Sequence, residues 1–332
     1  MSEWKEYRIG EICETQTGPF GSQLHNEDYV AVGTPIVTVE HLGCKNFTTQ
    51  NLPFVSDEDS KRLSKYTLKE GDIVFSRVGS VDRCSYVSAP YDGWLFSGRC
   101  LRVRPKDNDV LDSQFLYYHF SNEKVKTFIR NIAVGATMPS INTKLLNEVP
   151  ISLPSLSEQK KIADILSSLD EKIETNRKIN ARLEELAQAI FKSWFIDFES
   201  FGGKMPEDWS LCKLEDITII NSGKRPIDKK TESILQQSYP IVGASSIMGY
   251  TSSFLYNEPI LVIGRVGTHG VVQRWNDKCW PSDNTLVIKS KYYNFVFNVL
   301  TSLDYNSLNR GSTQPLITQS DIKQVEIISI VR

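Results

Sequence analysis

Between Ser157 and Phe198 the apolar positions recur at alternating steps of four and three: Ile162, Leu166, Leu169, Ile173, then the polar pair Asn176 and Asn180, then Leu183, Ala187, Ile190 and Trp194. No glycine or proline interrupts them. That spacing lines one face of an α-helix and is the seam of a coiled coil. Ser155 with Glu158 three residues on has the form of a capping box, and Pro154 separates the helix from what precedes it. At 1.5 Å per residue, the ~40 residues from Ser157 to Phe198 predict a rod roughly 60 Å long. A rod of that length either pairs with another long helix or stands between two bodies. Asn176 and Asn180 admit two readings: buried amides that fix register and partner, or a solvated patch where the seam is open. The outward faces carry Lys160, Asp164, Lys172, Arg182 and Glu185, mixed in sign as on a wet surface.

Before the rod the pattern changes to short strands and turns. Ile36-Val37-Thr38-Val39 and Asp72-Ile73-Val74-Phe75 are short β-branched or apolar runs, and Leu101-Arg102-Val103-Arg104 alternates. Residues 114–120, followed by Val125, Phe128 and Ile129, predict helix. Thr17-Gly18-Pro19-Phe20-Gly21-Ser22 and Gly135-Ala136-Thr137-Met138-Pro139-Ser140 predict loops, and Phe201-Gly202-Gly203-Lys204-Met205-Pro206 a linker.

After the linker the chain begins again. Trp4 in Glu3-Trp4-Lys5-Glu6 is answered by Trp209 in Asp208-Trp209-Ser210-Leu211, an offset of 205. Arg77-Val78-Gly79-Ser80, after an apolar run, is answered by Arg265-Val266-Gly267-Thr268, and Gly135-Ala136-Thr137-Met138-Pro139-Ser140-Ile141 by Gly311-Ser312-Thr313-Gln314-Pro315-Leu316-Ile317. The order of the landmarks is kept while loops shorten, which predicts one domain fold used twice. A duplicated fold with variable loops suits a reader of two targets better than a single active site. Two readers on one face of duplex DNA enter grooves about 34–36 Å apart or a multiple of that, a separation a stiff helix can set.

Composition narrows this further. The 332 residues allow about two domains, and the formal net charge of -2 gives no global pull toward nucleic acid, so a DNA-binding face has to be local. Cys13, Cys44, Cys84, Cys100, Cys212 and Cys279 are widely spaced with no C-x-x-C pair, which argues against a zinc ribbon or a disulfide scaffold and for a reducing cytoplasm. There is no apolar signal segment at the start and no 18-residue apolar run, so no membrane is expected. Phosphate-loop, dinucleotide and His-Glu-x-x-His motifs are absent, as is the Asn/Asp-Pro-Pro-Tyr/Phe tetrapeptide of an adenine methyltransferase. His25, His41, His119 and His269 lack metal-ligand spacing, so no metal site and no catalytic residue is assigned.

Candidate DNA contacts come from turns with basic, amide or hydroxyl side chains, which reach phosphates or base edges. Arg77 and Arg265, each after a buried strand and before a glycine, suit such a contact or an internal salt bridge; Ser80 follows in the first of these turns. Lys224 and Arg225 sit where the loop at Gly18 sits in the first repeat, and suit phosphate or a plain solvated turn. Thr137, Met138, Ser140, Ser312, Thr313 and Gln314 occupy the other repeated loop, read either as DNA contacts or as a structural turn. Asn309-Arg310 and His269 are further candidates. The aromatic tail of the rod, Phe191, Trp194, Phe195, Phe198 and Phe201, packs on the chain's own domains or docks a partner.

Taken in order, Leu153-Pro154-Ser155-Leu156-Ser157-Glu158-Gln159 with Ile162-Ala163 and Leu166, the tail Ala189-Ile190-Phe191-Lys192-Ser193-Trp194-Phe195-Ile196-Asp197-Phe198, the Trp-opened domain starts and the Gly-Ala-Thr-Met-Pro-Ser-Ile loop resemble the DNA-specificity subunit of a Type I restriction-modification system over essentially the whole chain. The resemblance implies two target-recognition domains, each reading half of a split site on double-stranded DNA, and two antiparallel spacer helices. It implies docking to two DNA adenine methyltransferase subunits, and then to restriction/translocase subunits. The subunit itself has no catalysis and no cofactor; S-adenosylmethionine, ATP and Mg are expected only on the partners. The chain departs from the pattern at Glu326–Arg332, where a distal second spacer helix is expected and missing, so the seam Ile162, Leu166, Leu169, Ile173, Asn176, Asn180, Leu183, Ile190 and Trp194 is expected to pair with a second copy.

The predicted fold class is therefore α+β, with a first target-recognition domain at 1–154, one long coiled-coil-type helix at 155–199, a linker at 200–206 and a second such domain at 207–332. The competing readings are a non-catalytic coiled-coil assembly or scaffold protein with duplicated protein-binding domains, and an enzyme with its site between the repeats.

Overall fold

The computed structural model describes residues 4–20, 23–230, 238–266, 270–308 and 316–329. They belong to two compact units, Met1–Asn176 and Arg177–Arg332.

The first unit runs β1 (Lys5–Arg8), α1 (Ile9–Ile12), β2 (Cys13–Thr17), β3 (Tyr29–Val30), β4 (Thr34–Val37), β5 (Phe54–Val55), α2 (Asp57–Arg62), β6 (Ile73–Ser76), β7 (Cys84–Tyr86) and β8 (Leu95–Phe96). It continues with β9 (Cys100–Pro105), α3 (Ser113–Ser121), α4 (Glu123–Ile132), α5 (Thr143–Asn147), β10 (Pro150–Leu153) and the first half of the long helix α6 (Leu156–Phe195), whose residues from Arg177 onward belong to the second unit. Its main sheet is antiparallel throughout, in the order β2-β9-β6-β7. Alternation sends Ile73, Phe75, Leu101 and Val103 into a core shared with α3, α4 and α5, while Val74 and Cys100 enter a second core under the small sheet β3-β5-β4-β8. Buried on both faces, β6 reads as the unbroken apolar run Ile73-Val74-Phe75. Phe75 and Phe120, both fully buried, meet edge to face at 4.7 Å; truncating either to Ala costs about 3–5 kcal/mol. One residue, Asn122, ends α3 and starts α4, because its backbone is extended and its side chain accepts from Lys124 N.

The second unit repeats this order. It comprises β11 (Leu211–Lys213), α7 (Leu214–Ile217), β12 (Ile219–Ser222), β13 (Tyr239–Val242), β14 (Ile247–Thr251), β15 (Ile260–Gly264), β16 (Val272–Trp275), β17 (Trp280–Pro281), β18 (Thr285–Lys289), α8 (Tyr293–Ser302), α9 (Gln319–Lys323) and β19 (Glu326–Ile328). The sheet β12-β18-β15-β16 matches β2-β9-β6-β7, and the two-stranded ribbon β11-β19 matches β1-β10. The parallel pair β13-β17 matches β4-β8. Again two cores flank the main sheet, Leu261, Ile263, Leu286 and Ile288 facing one and Ile260, Val262 and Val287 the other. Counterparts of α2 and α4 are absent among the described residues, which accounts for much of the shrinking offset.

The capping box forms as the spacing predicts: Ser155 N donates to Glu158 Oε2 at 3.2 Å, and Glu158 N donates to Ser155 Oγ at 3.4 Å. Helix α6 stops at Phe195 rather than running to Phe198. Phe198 takes a left-handed backbone at φ 54°, and Lys192 pairs with Asp197 at 2.8 Å across the last turn. The helix is not a body of its own, since each end is seated in a unit's core: Ala163, with Ile162 against it, in the first, and Phe191 in the second. Phe191 and Phe195 pack on Phe295, and Phe195 stacks on Trp209 at 5.6 Å, so the aromatic tail packs on the second unit. Beside them lies an apolar cleft of about 350 Å³ bounded by Phe198, Leu211, Val299 and Ile328.

Candidate nucleic-acid interface

In the first unit, loops far apart in sequence meet at one end of the main sheet. Thr17 ends β2 opposite Leu101, and Ser76 ends β6 opposite Cys100, so the turns after β2 and β6 and the turn before β9 share that end. Gly18 N donates to Cys100 O at 3.2 Å. A Cβ built on Gly18 would lie 2.1 Å from Ser97 O, and one on Gly98 would lie 2.1 Å from Pro19 O, so the two turns rest backbone on backbone and only glycine fits either place.

Arg77 is the junction. Its N donates to Arg99 O at 2.8 Å, its Nη1 donates to Gly98 O at 3.2 Å, and its guanidinium lies 4.3 Å from the centroid of the Phe20 ring. Its own carbonyl accepts from Ile141 N at 2.9 Å, Gly79 N donates to Pro139 O at 2.8 Å, and Val78 bridges Ser140. This brings the half-buried Arg77 and Ser140 to one place, with Ser80, Thr137 and Met138 exposed on the two joined turns. No ion pair of Arg77 occurs among the described residues, so a ring and a carbonyl position its charge without neutralising it. Arg99 stands exposed at the same end.

The second unit builds the same junction with different side chains. Gly223 N donates to Thr285 O at 3.0 Å, and a Cβ there would lie 2.1 Å from Ser282 O. Arg265 N donates to Asn284 O at 2.8 Å, Ile317 N donates to Arg265 O at 3.0 Å, and Val266 bridges Leu316. Arg265 Nε is buried with no hydrogen-bond partner, and Ser282 Oγ shares that condition. Lys224 and Arg225 are exposed; Lys224 N donates to Pro281 O at 3.0 Å and its carbonyl accepts from Trp280 Nε1 at 2.8 Å, which fixes the turn and leaves both cationic tips outward. His269, Arg310, Thr313 and Gln314 lie outside the described residues.

Along α6 the seam is bare. Leu169, Ile173, Leu183, Ile190 and Trp194 are each about half exposed, Leu166 somewhat less, and Asn176 and Asn180 are exposed; Ile162 alone turns partly into the first unit's core. Ile165, Ile179 and Leu186 widen the stripe on one side.

The spacing of motifs missed Phe20, Arg99 and Ser282. The turn at Thr17–Ser22 signals only its backbone, and nothing in it says that an arginine sixty residues away stacks on Phe20. Chemistry elsewhere is quiet. Burial pushes the Cys13, Cys84 and Cys100 thiols up to about 12 and Cys279 to about 11, which keeps them protonated and poor nucleophiles. No helix among the described residues is long and apolar enough to cross a membrane.

The family profile described as Type I restriction modification DNA specificity domain matches residues 1–185 and again 206–329. The chain is 30% identical to the Type I restriction enzyme HindI specificity subunit of Haemophilus influenzae, over 61% of this chain and 43% of that one, so this match spans less than half of that relative. It is 29% identical to the MjaIX specificity subunit of Methanocaldococcus jannaschii, over 98% of this chain and 83% of that one. In fold it is similar to the crystal structure of the Type I restriction-modification S subunit from M. genitalium, with a TM-score of 0.59 and 16% identity, covering 99% of this chain and 85% of that one. Two passes of one fold, each carrying the same turn-on-turn junction, coincide with the two matched segments, and the chain belongs to the Type I restriction modification DNA specificity domain family.

Proposed function

We propose that this chain is a non-catalytic specificity subunit of a Type I restriction-modification complex, reading a bipartite site on double-stranded DNA and directing partner methyltransferase and restriction subunits to it. The observation that carries this reading is the repeated junction: Gly18, Arg77 and Ile141 in one unit, and Gly223, Arg265 and Ile317 in the other, meet through the same backbone hydrogen bonds. Around these shared backbones the side chains differ, as two half-sites of different sequence require. Arg77, Ser80, Thr137, Met138 and Ser140 serve one half-site; Lys224, Arg225, Arg265, His269, Arg310, Thr313 and Gln314 serve the other.

S-adenosylmethionine, ATP and Mg belong on the partner subunits. The exposed stripe on α6 is assigned to a second copy of this chain. The scaffold alternative has no observation in its favour.

Co-expression with a methyltransferase subunit and mapping of methylated adenines tests the reading. Exchange of residues 207–332 for another domain of the family should alter one half of the methylated motif and preserve the other; a change in both halves refutes two independent readers.

A further inference from the structure

The two junctions differ in character at matched positions. Where the first unit has Phe20, the second has Arg225, and where the first has Met138, the second has Gln314. Phe20 is 49% exposed in the turn after β2 and Met138 is 68% exposed on the loop bridged to Val78. The Arg77 guanidinium covers the Phe20 ring, and the loop of Met138 is tied to the Arg77 turn by Gly79 N donating to Pro139 O and Ile141 N to Arg77 O. Arg99 lies exposed at the same end, and Asp82, the acid of the Arg77 turn, is paired with Arg130 at 2.6 Å. Exposed apolar side chains with the cations Arg77 and Arg99 at the same end suit a partner with flat apolar faces and flanking phosphates. Base pairs in a duplex have both, and proteins that distort DNA insert such side chains between base steps.

We propose that the first unit carries an apolar wedge, Phe20 with Met138, that enters a base step of its own half-site, where the second unit has the polar Arg225 and Gln314 at the matched positions. Phe20 thereby becomes a specificity residue: flexible pyrimidine–purine steps open at the least cost, so sequence is sensed through deformability as well as base edges. The inference rests on the assignment of the two junctions to DNA.

The test uses the full chain co-purified with its methyltransferase subunits, on duplexes carrying 2-aminopurine at successive positions of the methylated motif other than the target adenines and their neighbours, which a methyltransferase unstacks by base flipping. The wild type should brighten the probe at one step of the first unit's half-site and nowhere in the other. Phe20→Ala should abolish that signal and weaken specific binding roughly tenfold to a hundredfold, with the salt dependence of binding unchanged because no phosphate contact is lost. Phe20→Trp should keep both, and Met138→Ala should reduce the signal. Arg225→Ala should leave the fluorescence alone and reduce the salt slope by about one. If Phe20→Ala fails to fold, the Trp and Met138 variants carry the test. An unchanged affinity or probe signal in Phe20→Ala, or an effect only on methyltransferase binding, overturns the wedge while Arg77 and Arg225 variants still weaken DNA binding. If those too leave DNA binding intact, the assignment of the junctions to DNA falls with it.

Discussion

The side-chain amide of Gln159, at the head of α6, closes the main chain at Asp112: its Oε1 accepts from Asp112 N at 2.9 Å, while its Nε2 donates to Val110 O and Pro154 O at 3.0 Å each. Gln159 is 1% exposed, and Asp112 in turn caps α3 by accepting from Phe115 N at 2.8 Å. One buried amide thus ties the start of the long helix to the start of α3 within the first unit. Gln159→Leu preserves size but leaves three main-chain groups without partners. Its expected cost is about 2–4 kcal/mol in urea unfolding of the first unit. A loss below about 0.5 kcal/mol would mean that water replaces the amide freely and the seat of the helix is set by Ala163 and Ile162 instead.

What the sequence disclosed and what it withheld divides along physical lines. The helix is written in local terms, a 3.5-residue period and a Ser155–Glu158 cap, so its existence is readable from a window of residues. The duplication is legible because Trp4 and Trp209 are a rare residue type, and Arg77-Val78-Gly79-Ser80 and Arg265-Val266-Gly267-Thr268 a repeated run, in matched order. The junction itself is not, because its second partner carries no motif: Ser97-Gly98-Arg99 and Ser282-Asp283-Asn284 share a single serine and a role, offering backbone carbonyls to a glycine turn. The end of α6 also escaped, since it depends on a left-handed backbone at Phe198 that no residue-type rule assigns to phenylalanine.

His119, on α3, reports on how the first unit responds to acid. Its Nε2 donates to Pro150 O at 3.0 Å and its ring lies 5.6 Å from that of Phe120. Burial, only partly offset by that hydrogen bond, holds its pKa down at about 4 against an ordinary 6.5. The fold therefore favours the neutral imidazole. Above pH 6.5 both folded and unfolded chains leave it unprotonated and its contribution is complete. Between pH 6.5 and 4 only the unfolded chain takes the proton, and stability falls. Between pH 6.5 and 5, a loss of about 1–2 kcal/mol is expected from this residue. His119→Gln, which can still donate to Pro150, should flatten the pH dependence relative to the wild type in paired denaturation curves. Parallel curves for the two proteins would show that the ring is solvated when charged.

The bare seam of α6 makes the sharpest structural prediction, because its spacing reads the same from both ends. In an antiparallel pair of copies centred on Lys178, Ile162 meets Trp194, Leu166 meets Ile190, Leu169 meets Ala187, Ile173 meets Leu183, and Asn176 meets Asn180. The two polar positions then face each other and exchange amide hydrogen bonds, whereas a shift by one heptad sets each asparagine against an apolar residue, Asn176 against Ile173 and Asn180 against Leu169. On the flank, Ile179 of one copy meets Ile179 of the other across the two-fold axis, and Ile165 meets Ser193. Cysteine placement separates the possibilities once the exposed Cys44 is replaced by serine. Under mild oxidation Ile179→Cys should give a covalent dimer and Ile165→Cys should not. In a parallel pair each of these flank positions faces the partner's opposite flank rather than its own copy, so neither would cross-link. Asn176→Leu with Asn180→Leu should retain the dimer but loosen its register, spreading cross-links to neighbouring cysteine positions, while Leu169→Glu with Leu183→Glu should shift sedimentation to the monomer. A monomer at micromolar concentration for the unaltered chain would show instead that the stripe is covered by a different subunit.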